Sequence, residues 1–202
     1  MRRAPTQKRS RERVERMLAA ASALIAEHGS DAMKMGDVAE KAGVSIGSLY
    51  QYFPDKAAII RTLAERYNAL GRECIETELA KVEDGAGLGQ AFGRLVDTYY
   101  HLFLTEPVMR DIWSGTQADK QLREIELADS RANGALLAAV LMRLQPEADP
   151  DELAQTAFLV MSLGEATMRL AISVGPEEGH ALVARYKHMV LRELTEPDTS
   201  PP

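Results

Sequence analysis

With one cysteine, Cys74, among 202 residues, the chain can form no internal disulfide, and a reducing cytoplasm is its expected home. Aromatic residues make up only 5%, and strand-forming residues nowhere cluster. Ala, Leu, Glu, Arg and Met recur instead, so an all-α fold is expected. No apolar run approaches the roughly 18 to 20 residues that a membrane span needs. The basic N-terminal stretch is followed by no apolar core and cleavage site, so neither membrane nor secretion signal is expected. The four histidines, His28, His101, His180 and His188, are scattered. No Ser-His-Asp spacing, metal-ligand cluster or cofactor fingerprint accompanies them, so we expect no enzyme, no metal and no cofactor. Glu83 to Gly89 carries alternating glycines, but no strand precedes it and no Lys-Ser or Lys-Thr follows. It reads as a flexible turn rather than a phosphate loop.

What the chain does have is a dense stretch from Asp37 to Lys56. A short apolar run (Val38, Ala39, Ala42) ends at Gly43, which can take the left-handed conformation of a sharp helix-to-helix turn. Val44 can plug the gap, and Ser45 stands where a helix N-cap is wanted. At about 100° per residue, Ile46, Leu49 and Phe53 share one arc of the next helix and should pack inward. Gly47, Ser48, Gln51 and Tyr52 share the opposite arc, with Tyr50 at the border. That outer face is short, polar and free of carboxylates, which suits close approach to phosphates and base edges. Pro54 halts the helix, Asp55 can cap the next, and Lys56 can reach a phosphate beside the helix N-terminus. This is the bi-helical turn by which nucleic-acid readers present a second helix to the major groove.

The run Ala39-x-x-x-Gly43-Val44-Ser45-x-Gly47-x-Leu49-Tyr50-x-Tyr52-Phe53-x-x-Lys56 resembles the DNA-binding signature of the TetR family of bacterial transcriptional regulators. The close match covers roughly the first third of the chain; the rest is similar only in length and helical pattern. The family usually has Ser or Thr just before the first helix of the motif. Met33-Lys34 stands there instead, which hands a phosphate contact to Lys34. The expected DNA contacts are therefore Lys34, Ser45, Gly47, Ser48, Tyr50, Gln51, Tyr52 and Lys56. The resemblance implies a homodimer paired through its last two helices. Its partners would be double-stranded operator DNA, palindromic in sequence, and a small-molecule effector.

The net charge of -6 would argue against nucleic acid if taken whole. Divided, it supports the motif: residues 1–61 hold 11 Lys and Arg against 7 Asp and Glu, and the remainder 13 against 23. A basic head and an acidic body result. The expected organisation is a flexible basic arm over 1–8 and a helix-turn-helix domain over 9–54, with its motif at about 35–53. A connecting helix over 55–82, a helical regulatory and dimerisation domain over 83–194 and a disordered tail over 195–202 complete it. The arm either reaches into a minor groove or is a frayed, solubilising terminus. Arg9 to His28 reads as a helix whose apolar stripe (Val14, Met17, Leu18, Ala21, Leu24, Ile25) is flanked by Arg9, Arg11, Arg13 and Arg16. The long helix from Asp55 to Val82 would start in the head and end in the body, as a lever; Gly71 should weaken it midway, and Cys74 reads as plain core. Further helices are expected over Gln90–Leu104, from Thr105-Glu106-Pro107 through Trp113, over Gln117–Leu144, Asp151–Val174 and Glu177–Leu194. The last two carry more apolar surface than one body needs to cover.

Tyr99, Phe103, Met109, Trp113, Phe158, Met161 and Met168 give the body aromatic and flexible apolar side chains suited to a ligand wall, though for any single one of them plain core is the favoured reading. Glu165 and Arg169 lie four apart within an apolar helix, where ionised groups are costly unless paired. Either they pair with each other at the surface, or one meets a polar ligand in a cavity. Asp97 and His101, also four apart, read as an ordinary polar pair rather than metal ligands. The expected function is a dimeric, sequence-specific repressor released when a small molecule binds the C-terminal domain. The alternative is a DNA-binding regulator without small-molecule input, controlled by a protein partner or acting as an activator.

Overall fold

A computed structural model describes residues 4–115 and 119–195. Residues 1–3 of the expected arm, residues 196–202 of the expected tail and Gln117, the expected start of one helix, lie outside the described residues. The described residues form helices and no strand: α1 (Ala4–His28), α2 (Met35–Ala42), α3 (Ile46–Tyr52), α4 (Lys56–Leu79), α5 (Gly85–Thr105), α6 (Pro107–Gly115), α7 (Lys120–Leu144), α8 (Pro150–Ser173) and α9 (Pro176–Thr195). The all-α expectation holds. The chain divides into two compact units, one running to Tyr67 and including Pro107–Leu122, the other comprising Asn68–Glu106 and the residues from Arg123 onward.

In the first unit α1 starts at Ala4, earlier than the expected Arg9. Pro5 does not prevent this, because the first turn of a helix has no use for its N–H and favours its fixed φ. The α1 stripe buries Met17, Leu18, Ala21 and Ile25; Val38, Ala39 and Ala42 of α2 and Leu49 of α3 supply the facing apolar groups. Gly43 ends α2 with φ 65° and ψ 40°. Its N–H donates to Glu40 O and that of Val44 to Ala39 O, both at 3.0 Å. These paired bonds satisfy carbonyls the helix end would otherwise orphan, and only a residue at ease with positive φ allows them. α6, expected in the 83–194 domain, packs on α1 in this unit. Asp111 Oδ2 accepts from Ser30 N at 3.1 Å, and Trp113 meets Tyr67 edge-on with ring centroids 6.3 Å apart.

In the second unit α5, α8 and α9 pack on one another. The expected turn over Glu83–Gly89 is corrected: α5 begins at Gly85. Asp84 is its N-cap, accepting from Gly87 N at 2.7 Å. Leu88, Ala91 and Phe92 are buried just beyond. Their burial, with the cap, outweighs the roughly 1 kcal/mol that each interior glycine costs. A close crossing of α7 and α8 depends on Gly134, where a Cβ would lie 2.9 Å from Phe158 Cα. α4 passes Gly71 without interruption. Asp149 caps α8 by accepting from Asp151 N and Glu152 N.

Candidate nucleic-acid interface

α3 is seven residues long, too short to persist alone, and its position is set by its ends and one anchor. Ser45 Oγ accepts from Ser48 N at 3.2 Å, Phe53 N donates to Leu49 O at 2.9 Å, and Leu49 is fully buried. Phe53 is buried too, but Ile46 is 45% exposed. This corrects the expectation that Ile46 packs inward. As the first residue of α3 it lies at the mouth of the turn, where helical periodicity says nothing about what covers it.

Gly47, Tyr50 and Gln51 are exposed and Ser48 is half-buried, and no acidic residue occurs in α3. Tyr52 is half-buried, with its hydroxyl 2.9 Å from Ser10 Oγ on α1. It thus belongs to the α1–α3 seam as much as to the outer face. Lys34 occupies the N-cap of α2 with extended backbone and makes no side-chain cap bond; its side chain is exposed. Lys56 is more committed than its sequence position suggested. Its Nζ donates to Ser30 O at 3.1 Å and Asp31 O at 3.0 Å, closing the turn after α1. The third N–H of the ammonium can still reach an anion. Asp55, expected as a cap, accepts from Ala58 N at 2.7 Å. Ser10 and Asp111 were not legible as parts of this unit; their partners lie 42 and 81 residues away in sequence, and no local pattern carries such a pairing.

The expected ligand wall is divided. Met109 and Trp113 lie in the first unit; Tyr99, Phe103, Phe158, Met161, Glu165, Met168 and Arg169 lie in the second. There Phe103 and Met168 are fully buried, whereas Phe158 and Met161 are half-buried. Tyr99 and Phe103 meet edge-on at 5.0 Å, and the Arg131 guanidinium covers the Phe158 ring at 4.4 Å. Glu165 and Arg169 do not pair with each other, which corrects the first of the two expected courses. The Tyr99 hydroxyl donates to Glu165 Oε1 at 2.8 Å, and Arg169 pairs with Glu126 of α7. Burial, then the charges of Glu165, Asp129 and Glu126, hold the Tyr99 phenol well above its ordinary value, so it acts as a donor at any physiological pH. Asp129, itself buried, pairs with Arg72 of α4 and accepts from Asn133 Nδ2 at 2.8 Å. Asp97 pairs with Lys187 at 2.8 Å rather than with His101, and no group of three metal-ligating side chains occurs among the described residues.

Two family models match the chain. One, described as bacterial regulatory proteins of the tetR family, covers residues 17–63. The other, described as the tetracyclin repressor-like C-terminal domain, covers residues 86–197. The HTH-type transcriptional repressor KstR of Mycolicibacterium smegmatis is 43% identical over 63 residues, which are 31% of this chain and 28% of that protein. The chain thus spans just over a quarter of the length of that curated relative. A TetR-family transcriptional regulator from Pectobacterium atrosepticum superposes with a TM-score of 0.70 at 20% identity, over 98% of this chain and 99% of that one. The regulator FadR of Bacillus subtilis, solved in complex with stearoyl-CoA, gives 0.62 at 19%, over 90% and 97%. At these identities the solved structures establish the fold.

Proposed function

The chain belongs to the TetR family of bacterial regulatory proteins, a family of DNA-binding transcription regulators and not of enzymes, and on that footing we propose that it is a dimeric repressor released from a palindromic operator by a small molecule. The observation that carries the reading is the outer face of α3: exposed, polar, without a carboxylate, and fixed by the buried Leu49. Such a face can enter a major groove without repelling phosphates, and its Ser48 and Gln51 can bond base edges. Lys34, Tyr50, Tyr52 and Lys56 supply candidate phosphate contacts around it, which should make affinity steeply salt-dependent.

Pairing through α8 and α9 is supported by the leucines α8 leaves in solvent, Leu159, Leu163 and Leu170, and by exposed Met189 on α9. Two copies would present two α3 helices to successive major-groove faces. An effector in the C-terminal half would act by binding more tightly to a form with altered head spacing, with α4, whose residues are shared between the units, passing on the change. The FadR structure, with its acyl-CoA, supports an effector site in this fold. That Glu165 has a protein partner in Tyr99 and Arg169 one in Glu126 favours a second reading, a regulator with no small-molecule input. Among the described residues no helix is long and apolar enough to cross a membrane.

The test is selection of genomic fragments by the purified full chain, followed by titration of the selected duplex against a metabolite panel. Recovery of one palindromic sequence, released by some panel member, is expected. Recovery without release by any member supports the second reading, and failure to enrich any sequence overturns both.

A further inference from the structure

The side chain that looks over the α3 face from outside the motif is Arg13 of α1. Its Nη1 donates to Ser48 Oγ in a long bond of 3.4 Å, and it is exposed. Ser10, three residues earlier and so on the same face of α1, holds Tyr52 one turn further along α3. These two contacts register the N-terminal half of α1 against α3 and place Arg13 beside Ser48. The carboxylate that could have captured a neighbouring arginine is removed: both oxygens of Glu15 are taken by Arg66, at 2.5 and 2.7 Å. Among the described residues Arg13 has no carboxylate partner.

We propose that Arg13 is a specificity-determining residue that reads DNA together with Ser48. The inference rests on the DNA-binding reading above and deepens it. A guanidinium offers five N–H donors and no acceptor. The Ser48 hydroxyl, by accepting from Arg13, keeps its own proton free to donate. Its backbone N–H is already committed to Ser45. The pair therefore presents donors side by side, and the base edge that answers it is guanine, whose N7 and O6 are both acceptors in the major groove. Adenine places a donor beside its N7 and cytosine offers a donor, so both are disfavoured. The reading surface thus extends beyond the helix-turn-helix onto α1, and each half-site should contain a guanine whose replacement is felt through Arg13.

The experiment compares the wild-type chain, Arg13→Ala, Arg13→Lys and Arg11→Ala, each checked for an unchanged melting temperature. Arg11 lies on another face of α1 and controls for the loss of one positive charge. Each is titrated against the selected operator, a set with every guanine replaced in turn, and random duplex. Arg13→Ala should weaken operator binding roughly tenfold or more, and one guanine replacement should cost the wild type but not the variant. Arg13→Lys, which keeps the charge without the fork, should lose the same discrimination, and Arg11→Ala should keep it. Equal losses on operator and random duplex, or the same base preferences in Arg13→Ala as in the wild type, would overturn the proposal. A wild-type chain that prefers no sequence would instead defeat the DNA-binding reading itself.

Discussion

α3 and α8 each leave a face in solvent, and the two faces have opposite chemistry. Beyond Ile46 at its first position, α3 shows Gly47, Tyr50 and Gln51, with no charge of either sign, whereas α8 shows Leu159, Leu163 and Leu170. An exposed helix face ordinarily carries Lys and Glu, so both are departures, and each departure points to a partner. Leucines in water forgo about 25 cal/mol per Å² of stabilisation, which burial against a second copy of the same helix, as proposed above, would recover. A polar face without carboxylates suits a polyanion. The difference shows how the kind of partner can be read from what a helix refrains from displaying.

The strongest blow to one side of this comparison is Leu49→Ala. It empties a fully buried site in a helix with no other fully buried anchor, and should cost about 2–5 kcal/mol in chemical unfolding, with loss of operator binding. A cost below about 1 kcal/mol would mean that α3 is held by its caps alone. On the other side, Leu163→Glu changes a residue that is 45% exposed. The fold should survive, while the dimer dissociation constant in sedimentation rises about tenfold or more, since an unpaired carboxylate would be carried into the interface. An unchanged constant would move the pairing surface away from α8.

A finer contrast lies along α4, where Arg66 serves the first unit and Arg72 the second. Arg66 holds the exposed Glu15, and that hydrogen bond lowers the Glu15 pKa. Its contribution, a few tenths of a kcal/mol for a surface pair, is complete above the usual glutamate range and disappears as pH falls through the lowered value. Asp129 behaves in the opposite way: burial raises its pKa despite Arg72 and Asn133. The folded chain then holds that proton more tightly than the unfolded chain, so stability declines as pH rises from the usual aspartate value through the raised one, and levels off beyond. Urea unfolding across pH should show Glu15→Gln making the acid limb slightly shallower and Asp129→Asn removing its share of the decline. Changes of the same sign in both variants would contradict this assignment.

The elements legible in the sequence are those set by neighbours in the chain. Gly43, Ser45 and Leu49 could be assigned because a left-handed stop, a cap and an inward apolar position each follow from local geometry. Ile46 failed because periodicity orients a side chain without saying what lies opposite. Glu83–Gly89 failed because three glycines outweighed, on propensity, the Asp84 cap and the Leu88 anchor that decide it. The partners of Glu165 and Arg169 failed differently. Tyr99 and Glu126 lie 66 and 43 residues away, and helical spacing suggests only the partner four positions along. Met109 and Trp113 read as body residues by their place in the chain, yet α6 packs with the head.

The central claim is that the α3 face meets a polyanion because it carries no negative charge, and Gln51→Glu tests it most directly. Gln51 is exposed, so the melting temperature should not move. Fluorescence anisotropy at fixed moderate salt should show affinity for the selected operator, and for random duplex, lowered by at least about tenfold. Wild-type affinity for both duplexes in a normally folded Gln51→Glu chain would contradict the account.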